Sequence, residues 1–352
     1  MEMLFCILAN EQANSHKRWE DSCKTANVGY KVVDFTKNDW LEDVLRYEFT
    51  CYLTIPSGSI SYFKTLYDER LYILHYVLRK KIYPTYDEIL IYENKKVLSY
   101  WLKANKIPHP QTWVFYRKDE ARAFAQKCNL PIVGKSSIGA SGSGVHIIKS
   151  YSELNSYIDK IFSDKGVLRE VGPNFRKGNK VNRFVNVVQH PAAYLKKISA
   201  RYKAAIIDPQ RWYAIFQEYI KCDYEWRAVR IGDSYFAHKK LGVGGKFSGS
   251  TKVGWDGPSE DLLAFVKDVC DKHNFYCQAV DIFEPRKGQF LVNEMQTVFG
   301  SENPHQMILD GKPGRYVLKD SKWVFEGGTF NTNNSYDLRL QHVLELLRKN
   351  CL

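Results

Sequence analysis

A short apolar run ending in lysine, a loop of glycines and serines, and a second apolar run occupy residues 131–145: Pro-Ile-Val-Gly-Lys135-Ser-Ser-Ile-Gly139-Ala-Ser141-Gly142-Ser-Gly144-Val. This order specifies strand, loop, strand, and no other stretch limits the available folds as much. Gly and Ser let backbone N–H groups approach a phosphate closely, and Lys135 adds a point charge at the strand end. Turn chemistry alone also accommodates a plain hairpin tip. The rest of the chain has to decide between them.

Upstream, strand and helix signals alternate. Met3 to Ala9, Tyr30 to Phe35 and Phe49 to Ile55 read as strands, and helical spacing lies between them and from Ser61 to Arg79. Short connections between alternating elements predict a parallel α/β sheet. No glycine fingerprint follows the first strand, so nothing places a nucleotide there. Tyr83-Pro84 marks a boundary, a helix follows from Asn94 to Asn105, and Ile107-Pro108-His109-Pro110 forces extended backbone. Helices are also predicted over Lys118–Cys128, Ser152–Phe162, Ser259–Asn274 and Tyr336–Arg348. Hairpins are predicted to turn at Gly232-Asp233 and at Pro285–Gly288.

With 352 residues the chain can fill two or three domains. No apolar run approaches the ~20 residues a membrane span needs, and the first residues lack the basic start of an export signal. The eight cysteines include no Cys-x-x-Cys pair and no zinc spacing, so reduced thiols in a cytoplasm are expected. The formal charge of +12 invites a nucleic acid, but the basic residues are spread out and no nucleic-acid-binding signature stands out. A basic cleft for anionic substrates explains the charge equally well, and no nucleic-acid or membrane partner is expected. Residues 163–210 are rich in Arg and Lys. They read either as a solvated basic surface or as a lid that attracts an anion.

The late hairpin brings carboxylates together. Asp281 interrupts the apolar run Ala-Val-Asp-Ile-Phe, and its partner strand carries Glu294 and Gln296. A charge in such a run is rarely buried without a partner or a metal. Two carboxylates and an amide oxygen suit Mg2+; the plainer reading is a pair of edge charges facing water. Between the glycine loop and this hairpin, Gln217-Glu218-Tyr219-Ile220 ends a strand and Glu225 follows, a carboxylate able to accept from ribose hydroxyls. Lysine and loop for phosphates, a metal for charge and a hinge for a base make up the logic of an ATP site.

In order and spacing these pieces resemble the ATP-grasp superfamily, in particular the branch of ribosomal-protein glutamate ligases, glutathione synthetases and D-alanine ligases. The resemblance covers about residues 94–302. It implies an α/β ATP-grasp fold: an N-terminal Rossmann-like parallel-sheet domain (1–92), a lobe with the glycine-rich loop and basic insertion (93–215), and a lobe with the metal-binding hairpin (216–352). By resemblance, Lys95 and Lys135 contact the α- and β-phosphates, and Ser141, Gly142 and Gly144 cover them. Glu218 meets the adenine amino group, the Tyr219–Ile220 backbone its ring edge, and Glu225 the ribose. Arg227 and Lys240 hold the γ-phosphate and acyl phosphate, and Asp281, Glu294 and Gln296 bind Mg2+. The chain departs from the family pattern at Ser248 and Ser250, where an arginine and an asparagine are usual, and at Gln296, where asparagine is usual.

The resemblance implies an ATP- and Mg2+-dependent, ADP-forming ligase that joins a carboxylate to an amine through an acyl phosphate. Its substrate would be an anionic small molecule, a peptide or a sugar acid. A kinase on the same fold, and an ATP- or nucleic-acid-binding module without turnover, are the alternatives. No side chain is required as a covalent nucleophile. Of the histidines, only His238 and His305 fall near the expected site.

Overall fold

The computed structural model describes residues 3–139, 142–169, 206–242, 247, 253–299 and 304–352. Its sixteen described strands form three sheets.

The first sheet is parallel, in the order β2-β1-β3-β4, from β1 (Leu4–Ala9), β2 (Gly29–Asp34), β3 (Cys51–Thr54) and β4 (Ile82–Tyr83). Alternate residues of β1 serve opposite faces. Phe5 and Ile7 pack with Trp19 of α1 (Lys17–Thr25) and with Tyr336, Leu340 and Val343 of the C-terminal helix. Cys6 and Leu8 pack with Tyr67 and Leu71 of α3 (Ser61–Tyr72) and Val44 of α2 (Trp40–Leu45). Both faces are covered, hence the unbroken apolar run. The long helix expected over Ser61–Arg79 divides: α3 ends at Tyr72 and one π-turn continues over Ile73–Val77. A short helix that was not anticipated, α4 (Tyr86–Ile91), is fixed by a capping box between Thr85 and Glu88.

Asn94 then caps α5 (Lys95–Ala104), its side chain accepting from the Val97 N–H, so Lys95 falls at the first helical position. The second sheet is antiparallel, in the order β5-β8-β6-β7: β5 (Thr112–Phe115), β6 (Ile132–Lys135), β7 (Val145–Ile148) and β8 (Ala214–Glu218). Ile132, Ala214 and Phe216 bury one face under α6 (Lys118–Ala125) and α7 (Tyr151–Ile161). The opposite face carries Val133, Lys135, Ile215 and Gln217. β8 runs across the 215/216 position expected as a lobe boundary and belongs wholly to this sheet.

The third sheet follows the order β13-β12-β9-β10-β15-β14, with β11 on β10 and β16 on β15. Its strands are β9 (Tyr224–Ile231), β10 (Ser234–Leu241), β11 (Val253–Gly254), β12 (Cys277–Phe283), β13 (Leu291–Gln296), β14 (Ile308–Leu309), β15 (Lys312–Lys319) and β16 (Lys322–Gly327). Trp226, Ala228, Val280 and Ile282 face α5 and α8 (Glu260–Lys272). The reverse face changes character along its length. At one end Val229, Ile231, Phe236 and Ala279 lie in the core with α9 (Tyr336–Arg348). At the other, Glu225, Arg227, His238, Lys240 and Asp281 occupy the same face by register. That charged half meets the second sheet.

Candidate active site

The register sets most of the site. Asp281 lies opposite Glu294 across β12 and β13 and opposite Arg227 across β12 and β9; Glu225 lies opposite Lys240 across β9 and β10. Cross-strand partners share a face, so side chains distant in sequence converge. Between Asp281 and Ile282 the pairing slips, leaving Asn293 as an extra residue on β13. Such a bulge re-aims a side chain. Asn293 and Glu294, though consecutive, both reach the cleft: Lys135 donates to Asn293 Oδ1 at 2.7 Å, and Lys95 Nζ lies 2.8 Å from Glu294 Oε1.

The contacts form a charge lattice of two adjoining groups, joined through the consecutive residues Asn293 and Glu294. Arg227 donates to both carboxylate oxygens of Asp281 through Nε and Nη2, each at 2.9 Å, and Nη2 also donates to Gln296 Oε1 at 3.3 Å. Lys240 donates to Asp281 Oδ2 at 2.6 Å and is paired with Glu225. Asn293 Nδ2 donates to Glu225 Oε1 at 2.5 Å, which links the Lys135 and Lys240 halves. Glu93 Oε2 accepts from the Gly139 N–H at 2.9 Å and lies 3.8 Å from Lys95 Nζ, tying the start of the glycine loop to α5. Four cations, Lys95, Lys135, Arg227 and Lys240, thus stand among four carboxylates, Glu93, Glu225, Asp281 and Glu294.

Burial and charge pull against each other here. Burial opposes ionisation of Asp281, but Arg227 and Lys240 outweigh it and hold the carboxyl well below the usual range. Glu294 is likewise held low, because Lys95 and Lys135 overcome burial and Asp281. Burial lifts Glu225 above its ordinary value, with Lys240 opposing and Asp281 adding. Burial would lower Lys95, yet Glu294 and Glu93 raise it. Lys135 has no such close carboxylate, and burial brings it down to about 8 against the pull of Glu294. Burial also lowers His238 to about 4, and its Nδ1 is 2.8 Å from the Gln306 carbonyl oxygen. A neutral His238 that donates to that carbonyl braces the 306 segment.

Other sequence-derived residues fall around this lattice. Glu218 ends β8, exposed, with Oε2 accepting from the Gln111 N–H at 3.3 Å; Tyr219 and Ile220 follow it half-buried. Val133 and Ile215 share the Lys135 face, and Phe283 shares the Asp281 face and meets the Phe247 ring at 5.7 Å. On that face Val133 lies opposite Gln217 toward the hinge, and Ile215 lies opposite Lys135. Glu225, expected at a ribose, lies within the lattice, bound to Lys240 and Asn293. Gly142 and Gly144 flank the loop and return it to β7, and the Ser136 N–H donates to the Gly144 carbonyl at 2.8 Å. Ser141, Ser248, Ser250 and most of the basic stretch expected as a lid lie outside the described residues. His305 is half-buried, and its Nδ1 has no partner among the described residues. Sequence reasoning missed Asn293 and Glu93. Polarity next to Glu294 and next to Asn94-Lys95 was the only available signal.

No family model matches the sequence, and no curated protein matches it. Solved structures do. A RimK-domain ATP-grasp protein from Sphaerobacter thermophilus aligns with TM-score 0.50 at 12% identity over 83% of this chain and 89% of its own. The N5-carboxyaminoimidazole ribonucleotide synthetase of Thermotoga maritima aligns with TM-score 0.55 at 13% identity over 98% and 76%. The D-alanyl-alanine synthetase A of Vibrio cholerae aligns with TM-score 0.55 at 10% identity over 99% of both chains.

Proposed function

We propose that this chain, which has the ATP-grasp fold, is an ATP- and Mg2+-dependent ligase that joins a carboxylate to an amine through an acyl phosphate. The observation that carries this reading is the lattice itself. Four cations from α5, β6, β9 and β10 converge on one cleft, each held by a carboxylate or amide. A triphosphate would take over those cations, and the carboxylates so released would take a metal. Lys95 and Lys135 suit the α- and β-phosphates and Arg227 and Lys240 the terminal one. The apolar face of Val133, Ile215 and Phe283 beside Glu218 suits an adenine. We propose three lobes as expected from the sequence, with the boundary expected at 215/216 moved to the end of β8 at Glu218.

The donor set fits Mg2+: Asp281 and Glu294 face each other across one strand pair, and Gln296 supplies an amide oxygen. These are hard oxygen ligands. When bound, the ion supplies neutralisation of phosphate charge. The rest is done by the chain. Arg227 and Lys240 hold phosphate oxygens where charge builds, and the two sheets exclude water. In the first step a substrate carboxylate oxygen attacks the γ-phosphorus, the bond to the β–γ bridging oxygen breaks, and ADP leaves. In the second, an amine nitrogen attacks the acyl carbon, phosphate leaves, and the nitrogen gives its proton to solvent. Positioning and charge neutralisation are sufficient for both.

Equilibrium ATP binding with and without Mg2+ tests the assignment. Lys135→Ala should weaken binding at least tenfold in both conditions, and Glu294→Ala should abolish only the Mg2+-dependent gain. Wild-type affinity in both variants would overturn the site.

A further inference from the structure

The third sheet ends in an open edge at β16. On one side this strand pairs with β15, in unbroken register from Gly314 opposite Gly327 to Lys319 opposite Lys322. On its other side it makes no backbone hydrogen bond among the described residues. Such an edge is a template for another strand, and folded chains usually blunt it with a proline, a bulge or inward charges. β16 reads Lys322-Trp-Val-Phe-Glu-Gly327, with neither proline nor bulge. Alternate residues serve opposite faces. Trp323 meets the Tyr235 ring edge-on at 5.0 Å and Phe325 meets the Tyr316 ring at 5.6 Å, so one face is anchored and the strand is held extended before any partner arrives. The other face carries Lys322, Val324 and Glu326, and Val324 is 37% exposed.

The charges on that face are unevenly matched. Lys322 lies directly opposite Lys319 across the hairpin, and like charges in that position are unfavourable. Lys319 reaches Glu326 at 2.6 Å, and Arg315 holds the same carboxylate at 2.9 Å. Lys322 is left with no anion among the described residues.

We infer that β16 pairs antiparallel with β16 of a second copy of this chain, about a two-fold axis through Val324. From either end the strand runs charge, aromatic, valine, aromatic, opposite charge. With the axis at Val324, Lys322 falls opposite Glu326 of the partner subunit, Trp323 opposite Phe325 of the partner subunit, and Val324 opposite Val324 of the partner subunit. Opposite charges, aromatic pairs and β-branched residues facing each other are the favourable cross-strand combinations. Slipping the pairing by one residue sets Lys322 opposite Phe325 of the partner subunit or Gly327 of the partner subunit and separates both ion pairs, so the charges fix the register. A foreign strand could take up the backbone bonds. A second copy supplies in addition an anion to Lys322 and a cation to Glu326 from the same six residues. A two-fold contact of this kind uses the same patch on both chains and closes at a dimer. The cleft is built on β9, β10, β12 and β13, and β16 contributes no residue to it, so the inference stands apart from the ligase reading.

Sedimentation velocity of the full chain from about 1 to about 100 μM tests this. Wild type should pass from monomer to dimer across that range. Lys322→Glu sets two carboxylates against each other while removing no ion pair within the chain among the described residues; it should weaken dimerisation tenfold or more with an unchanged circular dichroism spectrum. Glu326→Lys should weaken it to the same degree. Mixed in equal amounts, the two variants again set opposite charges against each other at both ends of the strand, and the dimer should return to within threefold of wild type. Glu326→Lys also loses its contact with Arg315. Where it does not fold, Val324→Lys takes its place: it sets like charges on the axis and should weaken dimerisation tenfold or more. The inference is overturned if wild type stays monomeric at about 100 μM, if Lys322→Glu or Val324→Lys dimerises as wild type, or if the mixture of folded variants fails to restore the dimer.

Discussion

Replacing Asp281 by asparagine probes the lattice at its most connected point. The carboxylate is 2% exposed and accepts two bonds from Arg227 at 2.9 Å and one from Lys240 at 2.6 Å. Removing one partner of a buried ion pair costs about 3–5 kcal/mol, because the other charge stays buried. The substituted amide keeps one acceptor oxygen and Glu225 still holds Lys240, so the lower end, about 3 kcal/mol, is expected. At about 2–4 °C per kcal/mol for a domain-sized cooperative unit, Tm should fall by roughly 6–12 °C in scanning calorimetry at pH 7 without nucleotide or Mg2+. Asp281 titrates below its unfolded value, so its stabilisation is fully present above about pH 4 and is lost as pH falls further. The gap between wild type and variant should therefore be constant from about pH 5 to 8 and shrink below about pH 4. ATP without Mg2+ should raise the variant's Tm more than the wild type's, since its phosphates meet the cations left unpaired. A Tm within about 2 °C of wild type, or a gap that widens in acid, would refute the ion-pair account.

Two further outcomes follow from the same geometry. Lys135 titrates near 8, so its charge on the phosphates fades as pH rises through that value; ATP affinity should fall between pH 7 and 9 in wild type and stay level in Lys135→Arg, as measured by equilibrium binding. Asn293→Leu removes the amide that holds Lys135 and Glu225; with charged hydrogen bonds worth about 1.5–3 kcal/mol, Tm should fall by roughly 3–12 °C, and ATP without Mg2+ should raise the variant's Tm more than the wild type's.

Much of this arrangement is legible in the residues themselves. The apolar runs of β1 and β3, the Asn94 cap before Lys95 and the turn at Gly232-Asp233 are local signals, and each element forms where its signal lies. Asp281 facing Glu294 follows from the hairpin turn and the two-residue period of a strand. The pairing of Arg227 with Asp281 does not, because it depends on β9 lying between β12 and β10. Asn293 reaches Lys135 only because the strand slips by one residue, and a slip has no fixed signature. Glu93 is set by a left-handed backbone, φ +46°, at the turn before α5.

The acyl phosphate is the central claim and can be trapped. With Mg2+ and ATP, hydroxylamine and a panel of carboxylates, wild type should yield a hydroxamate and ADP in equal amounts, and Lys135→Ala should yield neither. ATP turnover that gives a stable phosphorylated product and no hydroxamate would contradict the account.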